Sequence, residues 1–271
     1  MKHLLIAGFG DIARRAVPRL ERRFEILRLS RACGFDLDRP ETLALQPADA
    51  LLHCAPPPGE GETDSRTAHL LAALEKARIL PARVVYVSTS GVYGDCAGAL
   101  VDESRPPAPQ TPRARRRLDA ERRLAQWCRS RGVPLVVLRA PGIYAADRLP
   151  LARLRAGTPA LRPEDDVYTN HIHAEDLAAI VSRALEDDAP AGIYNANDDT
   201  AMKAGDWFDL LADRYGLPRP PRVAGPLSSF LSESRRLDNR KLKRDMGIRL
   251  QYPTVHEGLG YEQPLGIDQP A

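Results

Sequence analysis

Apolar residues along the first 140 positions fall into short unbroken runs separated by stretches of helical spacing. The runs are 3–7 (HLLIA), 24–29 (FEILRL), 50–54 (ALLHC), 83–88 (RVVYVS) and 135–139 (LVVLR). Unbroken runs of this length are expected of strands whose two faces are both covered by helices. Helices fit between them at 11–22, 64–78 and 113–131, the last with an apolar stripe at Ala114, Leu118, Leu124, Ala125 and Cys128. Strands alternating with helices need parallel crossovers. The pattern therefore predicts an α/β fold built on a doubly wound parallel sheet of Rossmann type.

The texture changes after Pro141. Residues 141–172 are irregular and dotted with proline, a helix resumes at 174–187, and a short strand follows at 192–196. A helix at 203–215 then precedes a proline-rich link (218–226) and the basic stretch SRRLDNRKLKRDMGI (234–248). No internal repeat is present. This reading divides the chain into a Rossmann domain, 1–140 plus 173–197, and a small C-terminal substrate lobe, 141–172 plus 198–271.

Composition narrows the function classes. An apolar share of 43% and a charged share of 28% are those of an ordinary soluble globular protein. The net charge of +3 is too small to imply a nucleic-acid partner. Basic residues are lopsided, five lysines against 34 arginines, which with the abundant alanine and proline reads as GC-rich coding bias. Four cysteines without a Cys-x-x-Cys spacing argue against zinc and against a disulfide framework. The N-terminal apolar run is too short for a signal peptide and no window approaches a membrane span, so a cytoplasmic protein is expected.

The first strand run leads into Gly8-Phe9-Gly10-Asp11-Ile12-Ala13, a glycine turn that opens a helix. Gly8 allows the tight turn and Gly10 lets backbone approach a pyrophosphate. Ala13 permits close helix–strand packing, and the helix N-terminus offers amide donors to phosphate. The second strand ends Leu29-Ser30-Arg31. A carboxylate there would hold a ribose 2′-hydroxyl. Ser30 and Arg31 can instead donate to a 2′-phosphate, so NADP is favoured over NAD.

Seven segments in order now line up with one family: Gly8/Gly10, Asp36-Leu37, HCAPPP (53–58), VSTSGVYG (87–94), LRAPGIY (138–144), NHIHAEDLA (170–178) and RRLDNRKLKRDMGI ahead of Tyr252-Pro253. The chain resembles the extended short-chain dehydrogenase/reductase (NAD-dependent epimerase/dehydratase) superfamily, and within it the atypical YeeZ-like branch. The resemblance implies Asp36 on the adenine amino group with Leu37 beside the ring, Ala55 and Pro56 along the pyrophosphate and ribose, and backbone of Pro141-Gly142-Ile143 at the nicotinamide. It places Thr89 at the family's catalytic Ser/Thr position. Ser90 and Gly91 stand where sugar-nucleotide dehydratases carry Asp and Glu. It implies mainly structural roles for His173 and Asp176, a docking role for the 234–248 stretch, and a homodimer through the helices at 64–78 and 113–131. His171 stands where the family has a substrate-contacting arginine.

The departure is at the catalytic pair. Where the family has Tyr-x-x-x-Lys, this chain has Arg113 and Arg117; no tyrosine precedes a lysine by four residues, and no lysine lies between Lys76 and Lys203. A guanidinium stays protonated and cannot act as a general acid/base. Arg113 could hydrogen-bond a carbonyl oxygen or a carboxylate substrate. Arg117 could hold the nicotinamide ribose as lysine would, with Glu121 four residues on supporting the register. Tyr93 and Tyr144 are substitute acids, against the plainer reading that both pack in the core. His171-x-His173 is a metal-like pair without a third ligand.

The expectation is an oxidoreductase or epimerase acting on an unknown small or nucleotide-linked substrate, with Thr89, Ser90, Arg113 and Arg117 as the catalytic candidates. No membrane or nucleic-acid partner and no metal are expected. The competing reading is a catalytically inactive NADP-binding regulatory or scaffold protein.

Overall fold

The computed structural model describes residues 1–225 and 233–261. The end of the predicted link at 226, residues 227–232, and 262–271 of the predicted lobe lie outside the described residues. Six strands form the central sheet, and every neighbouring pair runs parallel. In chain order they are β1 (Lys2–Ala7), β2 (Phe24–Leu29), β3 (Ala50–His53), β4 (Arg83–Thr89), and the strands Leu135–Ala140 and Gly192–Asn195. In space the order is β2, β1, β3, β4, then Leu135–Ala140 and Gly192–Asn195. The chain therefore reverses its direction of travel across the sheet between β1 and β3. Ligands of doubly wound sheets bind at such a switch point, outside the C-terminal ends of the strands.

Side-chain alternation along the strands builds a core on each face. Leu4, Ile6, Leu52 and Val85 pack under helix α1 (Asp11–Leu20) and the helix Ala174–Ala184. Leu5, Leu51, Val84 and Tyr86 pack under α2 (Ser65–Lys76) and α3 (Pro112–Arg129). Helix α3 begins one residue earlier than its periodicity suggests. Pro112 suits a first helical position and the Thr111 side chain accepts from the Ala114 amide.

Between β2 and β3 the chain forms two short 3-10 turns, Arg31–Cys33 and Pro40–Thr42, and returns directly to the far side of β1. A third apolar cluster gathers Tyr144, Leu154, Trp207, Phe208, Leu211, Val255 and Leu259. It is tied to the sheet side by polar contacts. The Asp176 carboxylate accepts from the amides of Gln251 and Tyr252 (2.7 and 2.9 Å), and Asn170 bridges the Arg235 carbonyl and the Leu237 amide (3.0 and 2.8 Å). Many charges of the 234–248 stretch are spent in the same way: Arg235 pairs with Glu233, Arg240 with Asp238 and Lys243 with Asp199.

One ion pair crosses the interior. Glu121 of α3 meets Arg139 of the strand Leu135–Ala140 at 2.7 Å, with both side chains almost fully buried. Ser88 of β4 donates to the same carboxylate at 2.5 Å, and the Arg139 guanidinium lies 4.7 Å from the Tyr93 ring centroid. The partner of Glu121 is thus Arg139 rather than Arg117, because Glu121 faces the sheet. Removing one member of such a pair strands the other charge in low dielectric. Glu121→Gln should therefore lower unfolding stability by about 3–5 kcal/mol in denaturant titrations. A loss under about 1 kcal/mol, typical of an ordinary substitution, would contradict this pair's role in holding α3 on the sheet.

Candidate functional site

Because the six strands are parallel, the residues that follow them share one edge of the sheet. Gly8 follows β1, Ser30 follows β2, Cys54 and Ala55 follow β3, and Ser90 follows β4; Pro141 and Ala196 follow the last two strands. The tightest point is at the switch. Gly8 has φ +88°, and a Cβ there would overlap the backbone nitrogen of Ala55, so both conformation and space demand glycine. Gly10 has no neighbour within 4 Å of a built Cβ. Its surface is open, and no side chain caps the N-terminus of α1. The first-turn amides, which have no intrahelical acceptor, are left facing that opening.

Two hollows meet here. One, about 200 Å³, is lined by Gly8, Phe9, Gly10, Ser30, Arg31, Asp36, Leu37, Ala55 and Pro56. The next, about 170 Å³, shares Gly10 and Cys54 with it and continues over Asp11, Ile12, Ser88, Thr89, Arg113, Arg117, Pro141 and Ile143. A third cavity of about 380 Å³ opens beyond Thr89, Ser90, Arg113, Pro141, Gly142 and Ile143, with Tyr168, Asn170 and Arg235 also lining it. Thr89, Arg113, Pro141, Ile143 and Arg148 line both the second and the third, so they mark the junction. The four catalytic candidates and the fourteen residues expected to hold the dinucleotide all border this continuous trough.

The arginines at the catalytic positions have opposite fates. Arg117 is buried, and its Nη1 donates to the Val87 carbonyl (2.9 Å), the Tyr86 hydroxyl (3.1 Å) and the Ala55 carbonyl (3.4 Å). Arg113, one turn earlier, keeps a solvent-exposed surface at the junction. Among the described residues no hydrogen bond or ion pair engages it. The crowding of the cleft and the repulsion of Arg117 and Arg116 push its guanidinium below the usual arginine range. Thr89 Oγ1 accepts from the Gly91 amide at 3.2 Å, which leaves its hydroxyl proton free to donate.

Asp11 would set a carboxylate at the mouth of α1, but it is neutralised. Arg148 reaches it at 2.6 Å and Arg15 at 3.0 Å, and these bonds outweigh burial and hold its carboxyl below the usual range. Arg148 becomes part of the site through Asp11, 137 positions earlier, a pairing that local spacing does not show. Arg66, also not foreseen, borders the first hollow and binds Asp38 and the carbonyls of Pro56 and Pro57.

The substitute acids lie elsewhere. The Tyr93 hydroxyl donates to Asn195 Oδ1 at 2.8 Å, and burial pushes the group up; Tyr144 donates to the Thr254 carbonyl at 3.3 Å. His171 and His173 pack against aromatic rings, His171 on Trp207 (4.4 Å) and His173 on Tyr252 (3.9 Å). Burial pushes His171 down to about 3. Among the described residues no group of three or more His, Cys, Asp or Glu side chains could hold a metal ion, and no helix is long and apolar enough to cross a membrane.

Residues 29–196 match the model of the NAD dependent epimerase/dehydratase family. No functionally curated protein matches the chain. Among solved structures, a conserved protein of unknown function from Silicibacter pomeroyi is 30% identical, with a TM-score of 0.78 over 96% of this chain and 97% of that one. A protein from Methylobacillus flagellatus, described as an NAD-dependent epimerase/dehydratase, is 28% identical, with a TM-score of 0.75 over 96% of each chain. The UDP-glucose 4-epimerase of Thermotoga maritima, solved with UDP-glucose, shares the fold at 18% identity, with a TM-score of 0.77 over 95% and 96% of the two chains. The family match spans more than half of the sequence, and the glycine turn, the sheet order and the trough agree with it: the chain belongs to the NAD-dependent epimerase/dehydratase family.

Proposed function

We propose that this protein binds NADP(H) along the trough and uses it as an atypical extended short-chain oxidoreductase or epimerase, without the family's catalytic tyrosine. The observation that carries the reading is the continuity of the two smaller hollows with the larger cavity through Thr89, Arg113, Pro141 and Ile143. The residues present suit a dinucleotide. Gly10 leaves open space for a pyrophosphate, and the uncapped first turn of α1 supplies donors toward it. Ser30 and Arg31 stand where a 2′-phosphate would lie. Asp36 and Leu37 suit an adenine, and Ala55 and Pro56 suit the adjoining ribose.

The bound cofactor would supply hydride exchange with an oxygen-bearing carbon. The chain's own part is to place that carbon and its charge. Thr89 donates to the reacting oxygen from a hydroxyl whose acceptor side is already used by the Gly91 amide. Buried Ser90 borders the same cavity. Arg113 stabilises negative charge by electrostatics and gives no proton. Lack of a general acid costs about 10²–10⁴-fold in rate, which favours a slow enzyme or an activated, small or nucleotide-linked substrate.

A second reading, a cofactor-binding regulatory or scaffold protein without turnover, is favoured by one observation. The Arg117 Nη1 is committed to protein acceptors, which takes it from the ribose contact expected of a lysine there. Hydride loss from NADPH in a screen of carbonyl compounds separates the two; persistent absence of turnover with a full cofactor site selects the second.

Calorimetric titration with NADPH, NADH and their oxidised forms tests the cofactor. NADPH should bind more tightly than NADH, and Arg31→Ala should weaken NADPH by about 1.5–3 kcal/mol while leaving NADH nearly unchanged. Equal losses would remove the argument for the phosphate. Gly10→Asp fits sterically, so it should keep the melting temperature and lose dinucleotide binding. Unchanged affinity would remove the site.

A further inference from the structure

The charge lining the large cavity is unbalanced at one place. Four charged side chains border it: Arg113, Arg148, Arg235 and Glu233. Arg148 is paired with Asp11 at 2.6 Å, and Arg235 with Glu233 at 2.8 Å. Arg113 alone among these four lacks an ion-pair partner. Its neighbours make the imbalance larger. The first turn of α3 contains no acid, and Arg115, Arg116 and Arg117 follow in sequence. Their heads are drawn elsewhere, to Glu62, to the Gly61 carbonyl and to the carbonyls beneath the trough. A cation at a helix N-terminus also opposes the helix dipole. Among the described residues no acid or acceptor engages the Arg113 guanidinium, so the compensating charge is expected to arrive with a ligand.

We propose that the molecule entering this cavity carries an oxyanion, a carboxylate or a phosphate, at the end nearest Thr89, and that Arg113 is the residue that binds it. The guanidinium presents a planar fork suited to two oxygens of such a group. Thr89 stands at the same junction with a free donor, so the anion and the reacting oxygen lie on adjacent parts of one small molecule. A cavity of about 380 Å³ suits a compact ligand. Only the identification of that end as the reacting one rests on the cofactor reading above.

The test uses the full chain and two probes, malonate and inorganic phosphate, titrated at matched ionic strength so that screening is constant. Each is added to the protein alone and to protein saturated with NADPH. The probe matching the ligand's group should bind in both states. Arg113→Gln should weaken it about ten- to a hundred-fold, and Arg113→Lys should recover part of the loss. Preference for malonate or for phosphate tells which oxyanion the cavity takes. Arg113→Gln should melt no lower than wild type, since it removes an unpaired cation.

Probe affinities equal in wild type and Arg113→Gln would overturn the inference, as would the absence of binding by both probes. Competition between the probes and NADPH that is lost in Arg113→Gln would assign Arg113 to the dinucleotide's own phosphates and also overturn it. If NADPH fails to bind while malonate or phosphate binds in an Arg113-dependent way, the cofactor reading falls and the anion site stands.

Discussion

The buried pair between Glu121 and Arg139 is the contact on which the geometry of the site depends. It joins helix α3 to the strand Leu135–Ala140, and through Ser88 it joins both to β4. Three residues of the trough's junction are set by those elements: Thr89 ends β4, Arg113 stands in the first turn of α3, and Pro141 follows the strand Leu135–Ala140. Two charges and a hydroxyl hold one another between α3 and the sheet, almost wholly out of contact with water. The directional bonds fix the rotation of α3 about its axis, which apolar packing alone specifies loosely. Arg113 therefore points at the cleft because Glu121, two turns later, points at the sheet.

The same rotation gives Arg117 its role. It lies on the helix face that meets β4, and a chain of this length must satisfy its guanidinium there or strand it. Backbone carbonyls of Ala55 and Val87 and the Tyr86 hydroxyl supply the acceptors. The interior thus absorbs one arginine as structure, while the cleft receives the other as uncompensated charge. At the junction, Arg148 is spent on Asp11, while Arg113 is engaged by none of the described residues.

Much of this was legible in the sequence. Unbroken apolar runs such as RVVYVS and LVVLR gave the covered parallel strands, and the glycine turn gave the switch point, because both depend on local spacing. The pairing of Glu121 was misplaced. Helical spacing nominates Arg117, whereas the observed partner sits on a different element 18 residues away. Arg148 carries no local signal for the same reason, since its place in the site comes from Asp11 across the cleft. The different fates of Arg113 and Arg117 could not be read at all. Both satisfy the same spacing, and one helical turn carries the side chain from the open cleft to the underside of the trough. Sequence periodicity places a residue on a face but does not say what that face meets.

The central claim is that the trough holds the whole dinucleotide, with its reacting end at Thr89 and Arg113. The most direct measurement is a crystal structure of the protein grown with NADPH. The account predicts an ordered cofactor, with the pyrophosphate over Gly10 and the nicotinamide against the backbone of Pro141–Ile143, and with Arg113 still unpaired by protein. Order confined to the adenine half, or a nicotinamide directed away from Thr89, would contradict it.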